Sequence, residues 1–324
     1  MKKVWSLLLA VLLFCSLAMV GVSAETGGSG GDNYTDELFD QEVSETLAEY
    51  LNYSLVIAEQ LQEIILQLPD AVTPEDQLAL LRQIDQFYEQ NLPPMQQVFE
   101  QLTDSDFEVL AILYEQTTGE QLTVEEIKAS EQQALEYNIY LWEAVLRPVV
   151  QMADNDQEQL LQDMGNSNRI DVLLATCAQD LSEDYLNSLP EVDDSQLFTY
   201  QLEYYVDFEN ITATQYAALA EIRYLNDKLS GDFISYFNTL GDYDQFIADV
   251  QAYAAAYEET VERGDINGDG YINKKDFSRL KSYLADDETL IVQSAIELTG
   301  DGLISNKDLS RLKAYLADND VTFG

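Results

Sequence analysis

Oxygen-bearing side chains recur at alternate positions in Asp265-Ile266-Asn267-Gly268-Asp269-Gly270-Tyr271-Ile272-Asn273-Lys274-Lys275-Asp276. That spacing is the one a calcium loop needs. A hard cation of this size takes six to eight oxygens. Asp265, Asn267 and Asp269 supply loop positions 1, 3 and 5, and the Tyr271 carbonyl supplies position 7. Asn273 at position 9 ligates through a water, and Asp276 closes the shell at position 12, where most calcium-sensor loops carry Glu. Gly270 makes the sharp turn between the ligands.

A second loop stands in register with the first. Asp276-Phe277-Ser278-Arg279-Leu280-Lys281-Ser282-Tyr283-Leu284-Ala285-Asp286 returns 32 residues later as Asp308-Leu309-Ser310-Arg311-Leu312-Lys313-Ala314-Tyr315-Leu316-Ala317-Asp318. Ahead of the second copy, Glu297, Thr299, Asp301, Leu303, Ser305 and Asp308 occupy the ligand positions, Leu303 through its carbonyl. Glu297 is long for position 1, and Thr299 brings a weaker oxygen to position 3, so two calcium ions are expected with the second held less tightly. Each loop must be positioned by the helix that follows it.

Two tandem loop-helix units with Asp at position 12 resemble the type I dockerin of cellulosomal proteins, over roughly residues 262–320. The resemblance implies a calcium-dependent module that binds the cohesin domains of a scaffoldin. It also implies which residues meet cohesin, through loop positions 10 and 11 and the helix beyond. In one copy these are Lys274, Lys275, Arg279 and Lys281; in the other they are Asn306, Lys307, Arg311 and Lys313. Arg-Leu-Lys in both copies favours a shared binding face, and the near two-fold symmetry implies two docking orientations.

The rest of the chain is limited by what it lacks. There is no histidine, which removes imidazole acid-base work, Ser-His-Asp and Cys-His nucleophiles and the usual zinc sites. Carboxylate chemistry remains, and a pair of carboxylates suffices for glycoside hydrolysis. The alternative to a docking protein with a non-catalytic module is therefore a dockerin-borne glycoside hydrolase or other polysaccharide-degrading enzyme. No pair stands out for that role. Trp142 and the tyrosines Tyr200, Tyr204, Tyr205 and Tyr224 read as packed helix faces rather than sugar platforms, and Cys177 reads as a buried, inert thiol.

The formal charge is -44, and it is uneven. Beyond residue 24, 49 acidic and 6 basic residues precede Arg263, against 11 acidic and 8 basic from there on. So acidic a surface repels phosphate, which argues against a nucleic-acid partner and leaves a protein or cation partner for the acidic part. Residues 1–24 read as a secretory signal peptide, with Lys2 and Lys3, an apolar run and Val22-Ser23-Ala24 at the cleavage site. The expected location is extracellular or on the cell surface through a cellulosome-type complex, with no membrane attachment after cleavage; the apolar run is long enough to span a membrane, and an uncleaved anchor is the alternative.

Residues 25–34 form a Gly/Ser-rich linker, residues 35–261 an acidic all-helical module, and residues 262–324 the dockerin. The fold class is all-α, as one bundle or as two subdomains divided near Gly165. Leu47, Leu51, Ser54, Ala58, Leu61, Ile65 and Leu68 mark one stripe of a first helix. A second helix is expected from Pro74 to about Gln90, broken by Leu92-Pro93-Pro94. Asp104 is expected to cap the next, and Thr123 to open a segment that Pro148 kinks or ends. Helical periodicity should resume after Gly165-Asn166-Ser167-Asn168, and a last helix should run from about Tyr243 to Arg263.

Overall fold

The structure, a computed structural model, describes residues 43–190, 201–286, 289–318 and 320–324. The expected signal peptide, the linker and Tyr200 lie outside the described residues. The fold is all-α, and it divides into two compact units, one ending at Gln162 and one running from Asp163 to Gly324.

In the first unit, α1 (Glu45–Gln67) packs along α2 (Pro74–Phe99). The buried stripe of α1 is Leu47, Tyr50, Ile57, Ala58, Leu61 and Ile64. Leu51 and Ser54 lie at its half-exposed edge. The Tyr50 hydroxyl donates to Glu131 Oε2 at 2.7 Å, and burial pushes that carboxyl above its usual range. Tyr50→Phe would leave the carboxylate without its donor, at a cost of about 1–3 kcal/mol. A thermal melt of the full chain should show the first unit unfolding several degrees earlier.

Helix α2 does not break at Pro93-Pro94 but continues to Phe99. Its interior face carries Leu81, Ile84, Tyr88, Leu92, Met95 and Val98, all buried on both sides of the prolines. Burying that many large side chains, at about 1.5–3 kcal/mol each, outweighs the about 3 kcal/mol cost of a helical proline. Helix α3 (Asp104–Thr118) is capped by Thr103 rather than Asp104, with the Asp106 carboxylate reaching back to Thr103 N at 2.8 Å.

Thr123 opens α4 (Val124–Tyr140) with the expected capping box. Pro148 does not end this segment. A π-helical turn, Leu141–Leu146, comes first, and α5 (Arg147–Asn155) follows with Pro148 in its opening turn. Within the π turn, Arg147 N donates to Trp142 O, a five-residue reach that changes register before the proline arrives. Trp142 is buried, its indole N–H donates to Asp85 Oδ1 at 2.9 Å, and Arg147 lies over its ring.

The Gly165-Asn166-Ser167-Asn168 stretch, expected as a break, lies inside α6 (Gln157–Cys177), and the division between the two units falls within this helix. Leu160, Met164, Ile170, Leu174 and Cys177 are buried on both sides of the stretch. In the second unit, α7 (Glu183–Ser188) precedes α8 (Ala213–Asn226), α9 (Gly231–Leu240) and α10 (Tyr243–Glu258). Helices α8 and α10 are the main packed pair. Buried Asp163 accepts from Ser230 N at 3.0 Å and Ser230 Oγ at 2.6 Å, which ties α6 to the N-cap of α9. Helix α10 ends at Glu258 rather than near Arg263, because the chain must turn there into the first loop. The last two helices are α11 (Lys274–Tyr283) and α12 (Asn306–Ala317), packed on each other.

Candidate calcium loops and docking faces

Ile266, Leu280, Ile296, Leu298 and Leu312 form a small core between α11 and α12, closed by Ile272, Phe277, Leu309 and Phe323. The apolar residues of each repeat therefore meet those of the other, and each loop is carried at the N-terminus of its helix. The first repeat is tied to the segment before the second loop by Gly264 N to Ala295 O and Val292 N to Ile266 O, and the C-terminus is tied to the second loop by Gly324 N to Leu298 O, each 2.9 Å.

In the first loop the side chains turn inward onto the backbone. Asp265 accepts from Asp269 N at 3.1 Å and Gly270 N at 2.8 Å. Asp276 accepts from Asn267 N at 3.1 Å and Asn273 N at 2.7 Å, so position 12 closes the loop onto position 3. Asn267 Oδ1 accepts from Asp269 N, and Asp269 Oδ1 from Tyr271 N. Positive φ angles at Gly268 and Gly270, 70° and 82°, give the tight curvature that brings these groups round.

Asp265 and Asp276 are 3 % and 0 % exposed, and neither has a basic partner among the described ion pairs. Burial, reinforced by the neighbouring loop carboxylates, raises both of their pKa values. Asp269 goes the other way: burial opposes the change, but the Lys275 ammonium, 2.9 Å from Oδ2, holds its carboxyl below the usual range. Among the described residues no three acidic groups are gathered as an assembled metal cluster. The donor set nevertheless fits calcium. Its members are all oxygens, they sit on one short loop, and two of them are buried carboxylates that form no ion pair among the described residues.

The second loop repeats this arrangement with its predicted departures. Asp308, 0 % exposed, accepts from Leu298 N, Thr299 N and Ser305 N at 2.9, 3.2 and 2.8 Å. Glu297 Oε1 accepts from Asp301 N at 3.0 Å, the bond that Asp265 makes in the first loop. Asp301 Oδ1 accepts from Leu303 N, and Lys307 lies 2.7 Å from Asp301 Oδ2. Asn273, expected to ligate through a water, and Ser305, expected as a ligand of the second loop, are N-caps of α11 and α12, each accepting from the N–H two residues on. The side chains of Tyr271 and Leu303 point out to solvent, leaving only their carbonyls to the loops.

On the helices, Lys274, Lys275, Arg279 and Lys281 are all exposed, as are Asn306, Lys307 and Lys313. Arg311 differs: it is half-buried, and its guanidinium donates to the Thr322 carbonyl. A shallow open groove lies on this second face, lined by Thr299, Asn306, Lys307, Ser310, Arg311 and Ala314. The lysine at loop position 11 thus faces two ways in both copies, toward the loop carboxylate and toward the helix face. Its identity in both repeats was the signal for that pairing; the family resemblance had assigned it only to the docking face.

Residues 263–317 match the family model of the dockerin type I domain. No curated protein and no solved structure matches the chain. The C-terminal segment is therefore a type I dockerin domain, a calcium-binding module of the kind that docks cellulosomal proteins onto the cohesin domains of a scaffoldin.

Proposed function

We propose that this chain is a secreted component that attaches through its dockerin to a scaffoldin cohesin and adds a non-catalytic, acidic helical module to a polysaccharide-degrading complex. The observation that carries the reading is the repeated pair of basic helix faces, each beside a calcium loop and each open to solvent. The acidic helices repel the polyanions that a basic face would otherwise attract without selectivity, and the 8 basic residues from Arg263 on, against 11 acidic ones, make the dockerin the least acidic part of the chain beyond residue 24. Both loops take calcium in this reading. The first binds it more tightly, because Asp265 and Asn267 present better-fitting oxygens than Glu297 and Thr299.

The test has two arms. The full chain is titrated against a panel of type I cohesins with and without calcium, and calcium-dependent binding is expected. The same preparation is incubated with a polysaccharide panel, and no reducing sugar should appear. Release that disappears when a pair of facing carboxylates is changed to amides would establish the rival glycosidase instead.

A further inference from the structure

The first calcium loop is held from outside the dockerin. Helix α10 ends beside it, and the Tyr257 hydroxyl donates to the Gly268 carbonyl at 2.8 Å. Tyr216 of α8 stacks on Tyr257 with ring centroids 4.7 Å apart and planes within 20°. Its own hydroxyl donates to Glu258 Oε1, which also accepts from Arg223. The ring of Tyr216 lies so close to the loop that a Cβ at Gly268 would come within 3.1 Å of it. The Ser294 hydroxyl donates to Glu258 O at 2.9 Å, fixing the segment between the repeats to the same helix end.

Gly268 is loop position 4, between ligand positions 3 and 5. Its carbonyl belongs to the peptide whose N–H, on Asp269, points at both Asp265 Oδ1 and Asn267 Oδ1. A planar peptide fixed at its oxygen is fixed at its nitrogen as well. A donor on the Gly268 carbonyl therefore sets the direction of the N–H that aims two calcium ligands. The matching peptide of the second loop has a different neighbour: a Cβ at Gly300 would meet the Gly324 backbone at 3.3 Å, not an aromatic pair of the helical module.

We propose that Tyr257, backed by Tyr216, is a positioning residue for the first calcium site, so that the α8–α10 pair and calcium stabilise each other. The inference rests on the first loop as a calcium site and is independent of what the dockerin binds. Part of the ordering that calcium would otherwise impose on the loop is supplied in advance by the helical module. By reciprocity, calcium in the first loop must tighten the ends of α8 and α10.

The experiment uses the full chain with Asp308→Ala, which leaves the first loop to titrate alone. Calorimetry should show calcium binding in this background, and adding Tyr257→Phe should weaken it about three- to tenfold, the range of one hydrogen bond. Absence of binding before Tyr257 is changed would count against the calcium reading of the loop. Equal affinity with Tyr and Phe at 257 would overturn the positioning role alone. Hydrogen exchange supplies a second readout. Calcium should slow exchange around Tyr216 at the start of α8 and in the last turns of α10 in the unaltered chain, and should slow it less with Tyr257→Phe or Asp276→Ala. Unchanged exchange on adding calcium to the unaltered chain would overturn the coupling. Circular dichroism at saturating calcium checks that the variants are folded.

Discussion

Removing calcium from both loops is expected to lower cohesin affinity by about a hundredfold or more, equivalent to about 2.7 kcal/mol, and changing Asp276 to Ala should lower it by a smaller factor through the first loop alone. Asp276 closes the first loop by accepting from the N–H groups of Asn267 and Asn273, and it is wholly buried. Without it those donors lose their partner and the calcium loses its position-12 carboxylate. The electrostatics act in the same direction. Burial first, then the adjacent loop carboxylates, raises the carboxyls of Asp265 and Asp276. In calcium-free protein a carboxyl whose folded pKa stands above its unfolded value favours folding at low pH, and that contribution is lost as pH rises through the shifted range. At neutral pH both groups therefore oppose the metal-free fold, and calcium must offset their charge. Protons compete for the same oxygens, so calcium affinity should fall on acidification at a higher pH than ordinary surface carboxylates would give. Calorimetry on the full chain should resolve two unequal sites, with Asp276→Ala removing the tighter one. Two equal sites would refute the ranking. Cohesin binding that persists in chelator would refute the dependence on calcium.

The turns of the two loops were readable in the sequence because an arrangement of this kind is local. Its ligands lie within twelve positions, and their spacing is dictated by the size of the ion and the turn at glycine. The repeat strengthened the reading, since Leu280 and Leu312, 32 residues apart, fill equivalent places in one core. The helix cap at Thr123 was readable for the same reason: donor and acceptor are three residues apart. The errors in the helical module share an opposite cause. Pro93-Pro94 and Gly165-Asn166 are local signals to stop, and the helices continue through both. What holds them is the burial of Met95 and Val98 beyond the prolines, and of Ile170 and Leu174 beyond the glycine, against residues distant in sequence. Tyr257 is the clearest case. As one of many tyrosines in the chain it carried no distinguishing pattern, and its meeting with Gly268 depends on where α10 ends.

Changing Lys274, Lys275 and Arg279 together to Ala is expected to weaken cohesin binding only in part, whereas changing the matching residues of both repeats should abolish it. The reason lies in how two orientations add. If both faces dock equally well, losing one costs only a factor of about two, or about 0.4 kcal/mol. If the first is preferred tenfold, losing it costs about elevenfold, and losing the second costs almost nothing. The structure favours the unequal case. Arg279 is exposed and has no ion pair among the described residues, while Arg311 already donates to the Thr322 carbonyl and must give up that bond to reach a partner. Asn306 stands where the first face has Lys274, so the second face also carries one charge fewer. Lys275 and Lys307 need a separate control, because each also pairs with a loop carboxylate, Asp269 or Asp301. The titrations are therefore run at saturating calcium, where a change in cohesin affinity reports the face and not the loop. Complete loss from the first set alone would exclude a second docking orientation. No loss from the combined set would remove these residues from the interface. A partial loss that grows to complete loss only when Asn306, Lys307 and Arg311 are also changed is the result that two unequal, independently usable faces require.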